Sequence, residues 1–409
     1  MKHTKRIIAL VSVLLILVSL CACAKELTPE EILSQRRDTA EAHMRSMATL
    51  LWRSDADVTY SYSAANKDPY AENAKSLVHI KAGRVYQGLP YTHAGAGTGA
   101  FLAYGGEADE NGVYTVSGLT WKSLNGDWRT TARIGNDCSS ALNQSWAQIG
   151  NSLVSNRKTD LLCPDQGYLR VGEYEANPAK NEISIPVCEA NGIEVMSEAY
   201  SHLQKADGVV MRIEGNGHTM MVITNNPVRD SAGKIDPEES YVTVIDQTTS
   251  YINKEEKYFH EQLGEDVYMF YRVDVKCTYA RLFERGYLPI TCKEFIDPAP
   301  VPEPAVTDTE TEQSVKAMLS GNLNATRFID FVTVTLTDKD GNVVQKITSS
   351  GNRGNPYTFQ MNTFITDYPE VLNGTFDLNA LSAGTYRYQV ICRLVTGDEF
   401  TVRDYEITI

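Results

Sequence analysis

Several absences narrow what this chain can be. Its 8 cysteines include no C-x-x-C pair, which argues against a zinc ribbon. Neither a G-x-x-x-x-G-K-[ST] phosphate loop nor an H-E-x-x-H zinc helix occurs, and nothing points to a metal or an organic cofactor. The glycine-rich GAGTGAF at 95–101 lacks the strand-loop-helix setting of a dinucleotide site and reads as a flexible cleft loop. Beyond Leu20 no apolar run is long enough to cross a bilayer. Lys and Arg total 38 against 52 Asp and Glu, a formal net charge of −14, which argues against nucleic-acid partners. Histidine is scarce at 7, so candidate bases can be taken one at a time.

What is present starts with an export signal. Lys2, Lys5 and Arg6 precede an uncharged apolar run from Ile7 to Leu20, the length of a signal-peptide core. The run ends in LCAC, where Leu20 and Ala22 precede Cys23 as in a bacterial lipobox. Residues 1–22 are then a signal peptide, and Cys23 becomes the lipidated first residue of a membrane-anchored lipoprotein facing the cell wall. Cleavage after the A-x-A-like Ala22-Cys23-Ala24, giving a secreted protein, is the alternative. In an oxidising compartment Cys163 with Cys188 and Cys277 with Cys292 are candidate disulfides, which leaves Cys138 and Cys392 unpaired.

At 409 residues the chain is too long for one ordinary core. Residues 27–53 predict a helix: Thr28 and Glu31 form a capping box, Pro29 suits the first helical position, and Ile32, Ala40, Met44, Met47 and Leu51 recur at near-helical spacing. It belongs with a mixed α+β domain over 27–296. Residues 297–313, DPAPVPEPAVTDTETEQ, are proline-rich and acidic and read as a semi-rigid, solvated linker. Residues 314–409 turn to period two, with FVTVTLT, an Asp-Gly turn and VVQKIT, then a second such pair over 384–409. That pattern suggests an Ig-like β-sandwich for spacing or binding, its partner not readable from the sequence.

The chemistry concentrates at IGNDCSSALN, 134–143. Leu142, Trp146 and Ile149 mark one apolar face of a helix, so Cys138 sits at its N-terminus, where partial positive charge favours a thiolate. A nucleophilic Cys needs a base. His3 lies in the signal peptide, and His43, His202 and His260 lie in polar surroundings; His79 and His93 remain open. His218 opens the second of two strands, 208–213 and 218–224, where a side chain can face a cleft. Asp246 ends the following strand, YVTVID, and can orient the imidazole; the adjacent Gln247 is a candidate for lining the oxyanion or substrate site.

GNDCSSALNQSWAQIG resembles the DCSG-plus-helix motif of NlpC-type cell-wall cysteine peptidases, whose fold is papain-like. ADGVVM and GHTMMVI resemble that family's paired strands, and LPYTHAG at 89–95 its PYxxGG segment. The resemblance covers roughly residues 85–275. It implies Cys138 as nucleophile, His218 as general base, Asp246 as the third polar residue and Tyr91 beside the oxyanion hole, with no cofactor and a peptidoglycan stem peptide as the amide substrate. Ser140 stands where the family has Gly, the third position is more often His, and an insertion near 155–197 lengthens the Cys138-to-His218 interval. A transglutaminase-like acyltransferase and a non-catalytic binding lipoprotein on the same scaffold are the competing readings.

Overall fold

The computed structural model describes residues 27–409 except 62–76, 93–94, 104, 118–119, 123–127, 131–134, 151–158, 160–161, 165–167, 176–183, 214–215, 352–354, 365–370 and 375. Residues 1–22, expected to be a signal peptide, Cys23, His93 and much of the expected 155–197 insertion lie outside the described residues. The architecture is α+β, with six α-helices and several largely antiparallel sheets among the described residues. None of those helices is long and apolar enough to cross a membrane.

The first helix, Pro29–Thr49, starts where the capping box places it: Thr28 Oγ1 accepts from the Glu31 backbone and Glu31 returns a bond to the Thr28 N–H. It stops short of the expected end. Leu51 instead opens a strand, Leu51–Ser54, in the centre of a six-stranded mixed sheet. The buried face of the helix carries Ala40, Met44, Met47 and Ala48 and packs on a second helix, Cys138–Ala147.

That second helix is buried along its whole length, polar residues included. Its apolar face lies on a six-stranded antiparallel sheet. Across this sheet run Tyr271–Thr278, Tyr241–Gln247, Asn216–Asn226, Gly208–Ile213, Leu288–Thr291 and Leu169–Arg170. Close approach needs a glycine: a Cβ on Gly208 would come 2.9 Å from Leu142 Cδ2. Trp146 is fully buried and donates its indole N–H to the Ala206 carbonyl at 2.8 Å, fixing the helix against the turn that feeds the sheet. The polar face is satisfied only in part: Gln144 donates to the Gly95 carbonyl and Tyr168 donates to Asn143, while Ser140 Oγ, Asn143 Nδ2 and Gln144 Oε1 are buried without a hydrogen-bond partner among the described residues.

A second core lies in the C-terminal part. Val332, Val334 and Leu336 alternate inward with Tyr388, Val390, Cys392 and Leu394 from a five-stranded antiparallel sheet, as the period-two pattern requires. A three-stranded sheet joins the same core through Leu323 and Phe359.

Four expectations need correction. The proline-rich segment is not solvated throughout: Val306–Asp308 is a strand pairing with Asn322–Ala325, and Asp308 holds the buried Arg403 through two bonds. Its start is also tied down, because Arg36 donates to the carbonyls of Asp297 and Ala299. Neither candidate disulfide forms, and Cys138, Cys163, Cys188, Cys277, Cys292 and Cys392 are not disulfide-bonded. The glycine-rich 95–101 stretch contributes to a short helix, Thr98–Leu102, that packs on the C-terminal part. Asp330 there accepts from Ala100 N, and a Cβ on Gly99 would sit 2.1 Å from its Oδ2. Finally, a kinked helix, Ser184–Ser201, occupies the described end of the insertion, where the sequence showed none.

Candidate active site

Cys138 is the first residue of its helix and is 5% exposed. The N-cap is Asp137, whose Oδ1 accepts from Ser140 N at 2.7 Å and from Ser139 Oγ at 2.8 Å. Ser140 thus serves the cap with an ordinary helical backbone, and a serine at the glycine position leaves the helix start intact.

The approach to the helix is built on Gly135 and Asn136. Gly135 has φ +149°, and a Cβ there would meet the Pro90 carbonyl oxygen at 2.1 Å. The close contact lets Asn136 N donate to Pro90 O and Thr92 N donate to Asn136 O, so Tyr91 bridges in parallel to Asn136. Tyr91 Oη consequently lies 4.0 Å from Cys138 Sγ. Gly135→Ala is expected to push these segments apart, lowering the melting temperature by several degrees, about 2 kcal/mol of backbone conflict. Cys138 labelling should slow with it, and a melt together with iodoacetamide mass spectrometry checks both.

Asn136 and Gln247 tie the base of the site together. Gln247 Nε2 lies 3.0 Å from Asn136 Oδ1, 3.1 Å from Asn136 O and 3.3 Å from Leu89 O. Tyr271 also donates to Asn136 Oδ1, at 2.8 Å. The Gln247 amide nitrogen thereby joins the strand end to both walls beside Cys138, while its Oε1 is buried without a hydrogen-bond partner among the described residues.

His218 and Asp246 come from neighbouring antiparallel strands. Met221 pairs with Ile245, so the pleat puts both side chains on one face, two residues apart in register. His218 Nε2 lies 2.7 Å from Asp246 Oδ1, and both side chains are mostly buried. The other imidazole nitrogen is left for Cys138. Burial alone would depress the His218 pKa, but the negative charge and hydrogen bond of Cys138 and the Asp246 carboxylate outweigh it and hold His218 well above its ordinary value. Burial pushes Asp246 upward, yet His218, Tyr251 and Arg272 hold it below the usual carboxylate range. Tyr287 covers the imidazole edge-on, with ring centroids 6.3 Å apart at 71°.

The remaining described histidines stand elsewhere. His79 contacts Thr59 on an exposed hairpin, His202 pairs with Glu198, and His43 meets Ser145 and is driven down to about 4 by burial. Sequence reading missed Asn136, Tyr251, Tyr271, Tyr287 and Arg272. Tyr271 and Arg272 open one strand and the other three come from separate segments; none carries a spacing signal, and only Asn136, two residues before Cys138, lay close in sequence to a residue already singled out.

No protein-family model matches the chain, and no curated protein matches it. The chemistry of the site therefore rests on its geometry. The site offers a cysteine at a helix N-terminus, a mostly buried imidazole whose pKa is held above its ordinary value by Cys138 and Asp246, and a carboxylate bonded to that imidazole, the parts of a nucleophilic site.

Proposed function

We propose that the protein is a cysteine hydrolase of the papain-like, NlpC type that cleaves an amide bond in peptidoglycan stem peptides. The observation that carries this reading is the bond of His218 Nε2 to Asp246 Oδ1, with Cys138 and Asp246 together holding the His218 pKa above its ordinary value. In the reaction the Cys138 thiolate attacks the amide carbonyl carbon. The oxyanion is held by the Cys138 backbone N–H, which has no partner within its helix, and by the Tyr91 hydroxyl. The C–N bond breaks as His218 gives its proton to the leaving amine, leaving a thioester on Cys138. His218, now neutral, takes a proton from water, the hydroxide adds to the thioester, and carboxylate and thiolate are released. Asp246 keeps the imidazole in one tautomer and plane throughout.

The address and the second module belong to the same proposal. Residues 1–22 export the chain, Cys23 carries the lipid, and residues 27–296 act on the wall from the membrane. An Ig-like sandwich over 314–409 then spaces the catalytic part or binds a partner. The acidic charge keeps such a domain from adhering to anionic envelope polymers. Digestion of purified peptidoglycan by the mature protein, with products read by mass spectrometry, tests the reading. Stem fragments carrying one added water are expected with the wild type and none with Cys138→Ala. Equal products from both would overturn it, and amine incorporation in place of water would point to the transglutaminase-like chemistry.

A further inference from the structure

Asp246 does not rest on His218 alone. The short helix Thr249–Asn253 follows its strand, capped by Thr248, and delivers Tyr251 back over the carboxylate. Tyr251 is 7% exposed and donates its hydroxyl to Asp246 Oδ2, the oxygen that His218 does not use. Its ring is held in turn. Arg272 lies directly across the strand pair from Asp246, and its guanidinium sits 4.5 Å over the Tyr251 ring while pairing with Glu256. Arg272 thus faces Asp246 without taking either of its oxygens.

We propose that Tyr251, braced by Arg272, is a positioning residue that fixes the Asp246 carboxylate toward His218 and keeps it ionised in a nearly dry site. The proposal rests on the Cys138–His218–Asp246 reading above. With one oxygen bonded to His218 and the other to Tyr251, the carboxylate cannot rotate about its Cβ–Cγ bond, so Oδ1 stays aimed at Nε2. A hydroxyl donor also stabilises the charged form of a buried acid against desolvation. The groups bearing on Asp246 are His218 on the cleft side, itself facing Cys138, Tyr251 from the short helix, Arg272 and Cys277 from the adjacent strand, and Tyr287 beside the imidazole. Arg272 is the single permanent cation among them.

The sign of the effect follows. Without the Tyr251 hydroxyl, Asp246 takes up a proton at higher pH. On acidification the imidazolium then loses its counter-charge sooner, and the reactivity of Cys138 falls sooner. The alkaline side, where Asp246 is ionised in either case, hardly changes.

The test follows iodoacetamide labelling of Cys138 by mass spectrometry from about pH 4.5 to pH 9 in the full mature protein. Wild type, Tyr251→Phe, Arg272→Gln and His218→Ala are compared. At about pH 5 Tyr251→Phe is expected to label at least about fivefold more slowly than wild type, and within about twofold at pH 8. Arg272→Gln should move the acid limb the same way by less. A purely structural loss would scale the whole profile and leave its shape alone, so superposition after scaling overturns the proposal. Should Tyr251→Phe melt early, the profiles are compared at a temperature where both proteins are folded, because Arg272→Gln also removes a charge that acts on Asp246 directly. His218→Ala separates the two levels: a collapsed profile there beside an unshifted Tyr251→Phe refutes only the role of Tyr251, whereas a wild-type profile there refutes the site itself.

Discussion

His218→Ala is expected to slow iodoacetamide labelling of Cys138 at pH 6.5 by at least about tenfold, and to lower kcat/KM on peptidoglycan by about 10³. The physical reason is the coupling in the site. His218 stays protonated at neutral pH because it faces both the Cys138 sulfur and the Asp246 carboxylate. The proposed reaction uses Cys138 as a thiolate nucleophile, and an adjacent positive charge favours that form of a buried sulfur. Without the imidazolium the sulfur keeps its proton until the pH alone removes it. The gap between wild type and variant should therefore close above about pH 9, where an ordinary thiol ionises unaided. Asp246→Asn gives a milder version, since the amide holds the shape but can favour the wrong tautomer. Labelling rates that are independent of His218 across the whole range would remove the nucleophile.

The largest effect on stability is expected at Arg37. This side chain leaves the first helix to bond Asp207 Oδ1 at 2.8 Å and the Lys205 carbonyl at 2.6 Å, with its guanidinium over the Phe295 ring. Asp207 is 1% exposed and also accepts from Thr291 Oγ1 and from Gln204 N. Breaking a buried pair by removing one partner leaves a naked charge, so Arg37→Met should cost about 3–5 kcal/mol. For a chain of this size that is a fall in Tm of roughly 10 °C.

The loss should depend on pH with a definite sign. Burial already holds the Asp207 pKa above its ordinary value, with Arg37, Thr291 and Gln204 pulling it back. An acid with a raised folded pKa binds more protons folded than unfolded, so stability falls as pH rises through that window. Removing Arg37 raises the pKa further. Arg37→Met is thus destabilised most at neutral pH and regains part of the loss on acidification to about pH 5. Adding Asp207→Asn should restore much of it at pH 7.5. Melts at both pH values decide, and a pH-independent loss would show that Asp207 is not the charge exposed by the substitution.

How much of this was legible beforehand varies by element. The first helix announced itself through Thr28, Pro29 and Glu31, because caps are local chemistry. The hairpins of the C-terminal part did so through alternation and an Asp-Gly turn, for the same reason. Leu142, Trp146 and Ile149 marked one face of the central helix, but its polar face is equally buried. Nothing in Ser139, Asn143 or Gln144 announces that other segments will cover them. The helix Ser184–Ser201 was missed because Gly192 (φ +77°) interrupts its periodicity. Cysteine counting suggested disulfides where the structure has buried thiols, since pairing depends on distances that spacing does not encode.

Local sequence alone therefore determined which residues could do chemistry: a cysteine at a helix start, a histidine at a strand start, an aspartate at a strand end. Only the tertiary structure decided which oxygen of Asp246 faces His218, that Tyr251 holds the other, and that Gln247 braces backbone beside Cys138. Caps, turns and periodicity are set by neighbours within a few residues. The register of distant strands and the direction of a side chain are set by how the two faces of a sheet share one core.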